Sequence, residues 1–204
     1  MGRLKPMEVY GPTGLKKMTE HILAAYSEDI SLRRDGLEKE SAEGISVNAH
    51  EVKSGIVFKD ENVTVTAFPT KHGEWKESFG YRFDTKDRSI VISGDTIPLE
   101  STVTACNGCD ILLHEATTEK YLSKPMRPNS QGYDIKEYVS KYHTTTTQLA
   151  ELAARAKPKL LVLYHNTITL RPAQRPMAST PEDLLSEMKA YKGKIAIGRD
   201  LDIY

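Results

Sequence analysis

Apolar and polar positions change rhythm along the chain. MEVYGPTG reads as a short strand running into a Gly-Pro turn. In GLKKMTEHILAAY, residues Leu15, Met18, Ile22, Leu23 and Tyr26 fall at helical spacing. Residues 27 to 44 are polar and charged and read as a loop with weak extended character. SVNAHEV and GIVFKD then read as strands, and NVTVTAFPT alternates with period two, a half-buried strand ending near His72. SFGYRFDT and RSIVISGD form a hairpin pattern around the turn DTKD. A helix is predicted over Leu99 to Cys106, and DILLHEA is a short apolar strand.

From Tyr121 to Tyr142 the chain is polar and carries Pro125, Pro128 and Gly132, the pattern of a surface excursion near a site. HTTTTQLAELAARA opens with potential N-caps and continues as a helix, and PKLLVLYHN is a buried strand. STPEDLLSEMKAY places Thr180 as N-cap, Pro181 at the first helical position and Asp183 in the first turn. GKIAIGRDLDIY closes the chain as strands. The second half alternates helix and strand, which indicates layered α/β packing.

Bulk properties narrow the function classes. A chain of 204 residues with 39% hydrophobic and 27% charged residues suits a single domain, 1–204, with a sizeable core. The 28 basic and 28 acidic residues cancel, so net charge leaves no electrostatic footprint for nucleic acid. No apolar run is long enough to cross a membrane, and MGRLKPMEVYG has no secretory h-region. Two cysteines, Cys106 and Cys109, do not make a disulfide framework, and a cytoplasmic location is the default.

Candidate chemistry repeats at strand ends. His72 follows VTVTAFPTK, Asp95 follows SIVISG, His114-Glu115 follows DILL and His165 follows LLVLY. His143 stands just before a helix. Strand tips are rigid mounts for converging side chains, and imidazole with carboxylate suits zinc, manganese or iron. Taken singly, a histidine at a strand end is more often structural, and Gly-Asp-Thr is good turn chemistry; the repetition points to a site. His21 and His50 lack that setting and read as structural. Cys106-Asn107-Gly108-Cys109 is a CxxC ending a helix, which favours a structural role over a redox pair or half a zinc site. Lys71, Lys76 and Arg82 lie near His72 and read first as solvated surface, second as contacts for an anionic substrate.

Six stretches occur in a familiar order: VYGPTGLKKM, VTAFPTKHGEWKESFGYRF, IVISGDT, DILLHEAT, YHTTTTQLAELA and LLVLYHN. Together they resemble ribonuclease Z-like hydrolases of the metallo-β-lactamase superfamily. The resemblance implies an αββα sandwich with two metal ions, zinc by family habit, at one edge of its sheets. It implies His72, Asp95 and His165 as metal ligands, with Asp95 the bridging carboxylate. It implies His143 as the histidine that contacts the scissile phosphate and assists proton transfer, Glu115 as its acidic support, and His114 and Thr96 as supports outside the ligand set. The implied activity is metal-assisted hydrolysis of a phosphodiester. A sulfatase- or lactonase-like hydrolase on the same fold is the alternative, and a non-catalytic module or half of a split enzyme is the rival from another class.

Two departures from the family pattern stand out. None of the six histidines lies two residues from another, so the family's His-x-His-x-Asp-His motif is absent from these residues. The expectation is therefore the C-terminal portion of the fold, N-terminally incomplete, with one weakly held metal, and with self-association or a missing N-terminal half as partner. Only a short turn separates Phe83 from Ile90, where ribonuclease Z proper often inserts an arm that grips transfer RNA. A small-molecule or other phosphodiester substrate then fits as well as a nucleic acid.

Overall fold

A computed structural model describes residues 2–123, 134–166 and 179–204. The chain divides into two compact units, Met1–Lys53 and Ser54–Tyr204.

The first unit is a parallel strand pair with its crossover. Strand β1 (Met7–Gly11) pairs in register with β2 (Val47–Glu51), and helices α1 (Leu15–Ala25), α2 (Ser27–Asp35) and α3 (Ala42–Ile45) connect them. Helix α1 begins at Gly14, whose φ of 100° gives the left-handed turn that glycine adopts freely. The α1 N-terminus is capped from a distance, because the Glu51 carboxylate accepts the Gly14 and Lys16 N–H groups at 2.7 and 3.3 Å.

Helix α2 corrects the loop expected over residues 27 to 44. Its only apolar residues are Ile30 and Leu32, two positions apart, so no apolar stripe announces it. Its stabilisation is local: Glu28 and Asp29 sit in the first turn, Arg33 and Arg34 in the last, and Arg33 pairs with Asp29 one turn away at 2.9 Å.

The second unit is built on a seven-stranded sheet in sequential order. Its strands are β3 (Gly55–Lys59), β4 (Val63–Pro69), β5 (Phe79–Thr85), β6 (Ser89–Ile92), β7 (Ile111–Ala116), β8 (Leu160–Asn166) and β9 (Ile195–Ile197). From β3 to β6 neighbours run antiparallel; from β6 to β9 they run parallel. Helix α4 (Glu100–Cys106) crosses from β6 to β7. Helices α5 (Glu119–Leu122), α6 (Ile135–Tyr142) and α7 (Thr146–Ala156) lie between β7 and β8, and α8 (Pro181–Glu187) precedes β9.

β7 and β8 are parallel strands in the interior of the sheet, and unbroken apolar runs are the pattern that such strands carry. Leu112, Leu161 and Leu163 pack with Leu149, Ala153 and Ala156 of α7 and with Leu184 and Met188 in one core. Helix α7 is fixed at its start by a capping box between Thr145 and Gln148.

Other details depart from the sequence reading. Part of the polar stretch before His143 is the helix α6; Pro125, Pro128 and Gly132 lie outside the described residues. The tail after Ile197 is not a strand. Cys106 and Cys109 form a buried disulfide, their Cα atoms brought to 4.8 Å because Asn107 and Gly108 both turn left-handed. Arg82 is committed to structure: its guanidinium binds the Asp84 carboxylate and donates to the carbonyls of Ala105 and Cys106 at the end of α4.

Candidate metal centre

Topology brings the site together. β4 is antiparallel to β5 and β5 to β6, so β4 runs with β6, β7 and β8. The C-terminal ends of these four strands therefore share one sheet edge. His72 follows β4, Asp95 follows β6, Glu115 is near the end of β7 and His165 near the end of β8. His143 joins them from the junction between α6 and α7.

One ligand atom each from His72, Asp95 and His143 lies within 4.8 Å of the others. The Nε2 of His165 is 3.3 Å from Asp95 Oδ2, and its ring centroid is 5.7 Å from that of His143. The four side chains predicted as ligands or proton carrier thus meet in one place.

Each is aimed by a specific contact. His72 Nδ1 donates to the Tyr142 carbonyl at 2.9 Å, which leaves Nε2 to face the cluster. Gly94, with φ 66°, turns the chain after β6 so that Asp95 emerges at the strand tip. His165 is the extra residue of a bulge: Glu115 pairs with Tyr164 and Ala116 with Asn166, leaving His165 unpaired with φ 42°. Bulges re-aim side chains, and a left-handed non-glycine residue stores local strain that the surrounding ladder must offset. His143 Nδ1 is held 3.1 Å from Glu115 Oε1.

Glu115 is the hub. It is fully buried, and its Oε1 also accepts the backbone N–H of Thr96 at 3.1 Å and of Thr144 at 3.2 Å. Thr96 ties three loops together. Its hydroxyl accepts the Lys71 N–H and donates to the Ile97 carbonyl, and its own carbonyl accepts the Thr144 hydroxyl at 2.6 Å. His114 is buried with Nδ1 on the Glu115 carbonyl, while its Nε2 finds no hydrogen-bond partner among the described residues. It bonds to none of the four clustered side chains.

Electrostatics follow burial. Desolvation pushes the Glu115 carboxyl up despite its donors, and the bond to Glu115 raises His143. Burial lowers His72, and lowers His114 to about 4.

Sequence reasoning missed the wall around His72. The ring of Tyr142 meets the His72 ring edge-on at 4.9 Å, and Tyr138 stacks on Tyr142 at 4.5 Å with 16° between the planes. Glu74 accepts the Tyr142 hydroxyl, and Gly73 donates to the Lys141 carbonyl. The legible signal was the four-residue spacing of Tyr138 and Tyr142 immediately before His143.

A sheet edge that gathers three histidines and an aspartate defines a class. Residues 7–166 match the family model described as the beta-lactamase superfamily domain, and the chain belongs to that superfamily. Ribonuclease Z proteins are among its homologues: that of Mycobacterium sp. strain KMS is 30% identical over 200 residues, covering 96% of this chain. The chain spans 65% of that relative's length. Among solved structures, the metallo-beta-lactamase fold protein YhfI from Bacillus subtilis aligns with a TM-score of 0.63 at 12% identity, covering 96% of this chain and 64% of that one. The short form of human tRNase Z aligns with a TM-score of 0.60 at 21% identity, covering 97% and 67%. The fold is thus the metallo-β-lactamase fold, and the α/β class read from the sequence is correct.

Proposed function

We propose that the chain is a metal-dependent hydrolase acting on phosphodiesters. The convergence of His72, Asp95, His143 and His165 at one sheet edge carries the reading. The donor set fits a borderline divalent ion, with zinc first and manganese or iron as alternatives. His72, Asp95 and His165 would hold the ion. A bound ion would supply Lewis acidity and a water activated near neutral pH.

The chain's own residues do the rest. Glu115 fixes the His143 ring through Nδ1, and Nε2 remains to meet the substrate's reacting oxygen and pass it a proton. Thr96 and Thr144 hold Glu115 in place from the main chain, so the dyad stays aimed. The buried edge of β7 keeps water from the Glu115 side of the dyad.

The test is metal content after dialysis, wild type beside Asp95→Ala, with hydrolysis of bis(4-nitrophenyl) phosphate on the same samples. Metal bound in the wild type, lost in the variant and accompanied by turnover is the expected result. A wild-type chain without metal, or an Asp95→Ala chain that keeps it, would sink the reading.

A further inference from the structure

Four apolar side chains of the first unit line a cavity instead of closing on one another. Leu23 lies near the end of α1, Tyr26 at the junction with α2, Ile30 on α2 and Ile45 at the end of α3, and the cavity among them measures about 430 Å³. Apolar groups in a folded chain pack at the density of organic crystals, whereas a cavity of this size suits a small ligand. All of its lining residues belong to Met1–Lys53, and none is a member of the metal cluster.

The walls are fixed from several sides. An added Cβ on Gly44 would lie 1.7 Å from the Arg3 carbonyl oxygen, so the N-terminal segment rests directly on α3. Arg3 Nε donates to the Gly44 carbonyl at 2.7 Å, and the Gly2 N–H donates to Glu40 Oε2 at 3.3 Å. On α2, the Arg33 guanidinium binds Asp29 at 2.9 Å and Glu38 at 3.0 Å. Asp29 and Arg33, which also line the cavity, thus answer each other's charge.

Two charges in the lining are left over. Arg3 and Glu40 form no ion pair among the described residues, and Nε is the one guanidinium nitrogen of Arg3 with an acceptor there. Exposed charges without partners are ordinary, and neither would mean anything alone. Their place on one apolar cavity, with opposite signs, is the informative part.

We propose that this cavity binds a free amino acid with an apolar side chain. The Nη groups of Arg3 suit the α-carboxylate, and the Glu40 carboxylate suits the α-ammonium. Leu23, Tyr26, Ile30 and Ile45 enclose the side chain. A plain carboxylic acid would answer Arg3 and set its apolar body against an unanswered Glu40, and an amine would do the reverse. A zwitterion satisfies both. The lining carries two arginines against one aspartate and one glutamate, a balance that suits a ligand without net charge.

L-Phenylalanine is titrated into the full chain by calorimetry, beside phenylacetate, which lacks the ammonium, and phenethylamine, which lacks the carboxylate. Saturable binding of the amino acid, at least roughly ten-fold tighter than either analogue, is expected, because each analogue has lost one charge-assisted bond. Glu40→Gln keeps the side chain's shape and its acceptor for Gly2, and is expected to weaken binding roughly ten-fold. Ile30→Trp fills the cavity and is expected to abolish binding, with its helix content checked by circular dichroism. Glu40→Gln decides the matter if the tryptophan variant does not fold. No saturable binding in the wild type, equal binding of either analogue, unchanged affinity in Glu40→Gln, or binding retained by a folded Ile30→Trp chain overturns the proposal.

Discussion

His114 sits in the sheet with one ring nitrogen on a carbonyl and the other without a donor among the described residues. A protonated ring would bury a charge without a counter-ion, so the folded state keeps it neutral and lowers its pKa from 6.5 to about 4. The consequence has a definite sign. Between these values the unfolded chain binds a proton that the folded chain refuses, so stability falls as pH drops from 6.5 toward 4. The linkage amounts to roughly 3–3.5 kcal/mol at its fullest. His114→Phe keeps a ring and removes the proton. Urea unfolding across that window is expected to give a flatter pH dependence in the variant than in the wild type, and parallel curves would refute this. At this scale the sequence was readable for chemistry but not for wiring. The strand-tip positions of His72, Asp95, Glu115 and His165 were visible as apolar runs ending in polar residues. That His114 turns away from the cluster, while Glu115 beside it anchors His143, depends on strand facing and on Thr96 and Thr144, which no spacing reveals.

Among the elements, the turn after β4 carries the most testable packing. Gly73 has φ 56°, and an alanine Cβ there would overlap the Tyr142 ring. Gly73→Ala therefore combines a left-handed strain of about 1–3 kcal/mol with a clash against the residue whose carbonyl holds His72. Urea unfolding is expected to show that loss, and Gly73→Ala with Tyr142→Ala should recover the clash part alone. A single variant as stable as the wild type would contradict the packing. Elements with an apolar stripe or strict alternation were legible: α1, β4, the β5–β6 hairpin, α7 with its threonine caps and β8 all lie where the pattern puts them. Helix α2 was not, because its stabilisation comes from end charges and an ion pair instead of burial. The bulge at His165 was not either, since a one-residue slip in ladder register leaves no mark on an apolar run.

Across the whole molecule, burial is uneven. No side chain of α1 or α2 is buried, and α1 exposes Met18 and Ile22, whereas Leu112, Leu161 and Leu163 are completely enclosed. Short helices without a buried face are marginal on their own. Amide exchange followed by mass spectrometry is expected to show Ser27–Asp35 exchanging at least roughly a hundred-fold faster than Ile111–Ala116. Equal protection would mean that the first unit is held by more than its own contacts. The architectural class was legible because helix and strand alternate through the second half, while the run of strands that share one edge came from the ladder directions, which only pairing defines.

One consequence of the shared edge concerns time. The bond that orients His72 reaches a residue 70 positions further along the chain, and the last member of the cluster comes from β8. During synthesis on the ribosome the four-residue cluster forms late: His72 leaves the exit tunnel long before His165 exists. Closing such separations is slow and costs chain entropy that only the completed parallel strands return. The four-residue cluster is thus gathered only when β8 docks beside β7, and its assembly is coupled to the last steps of folding.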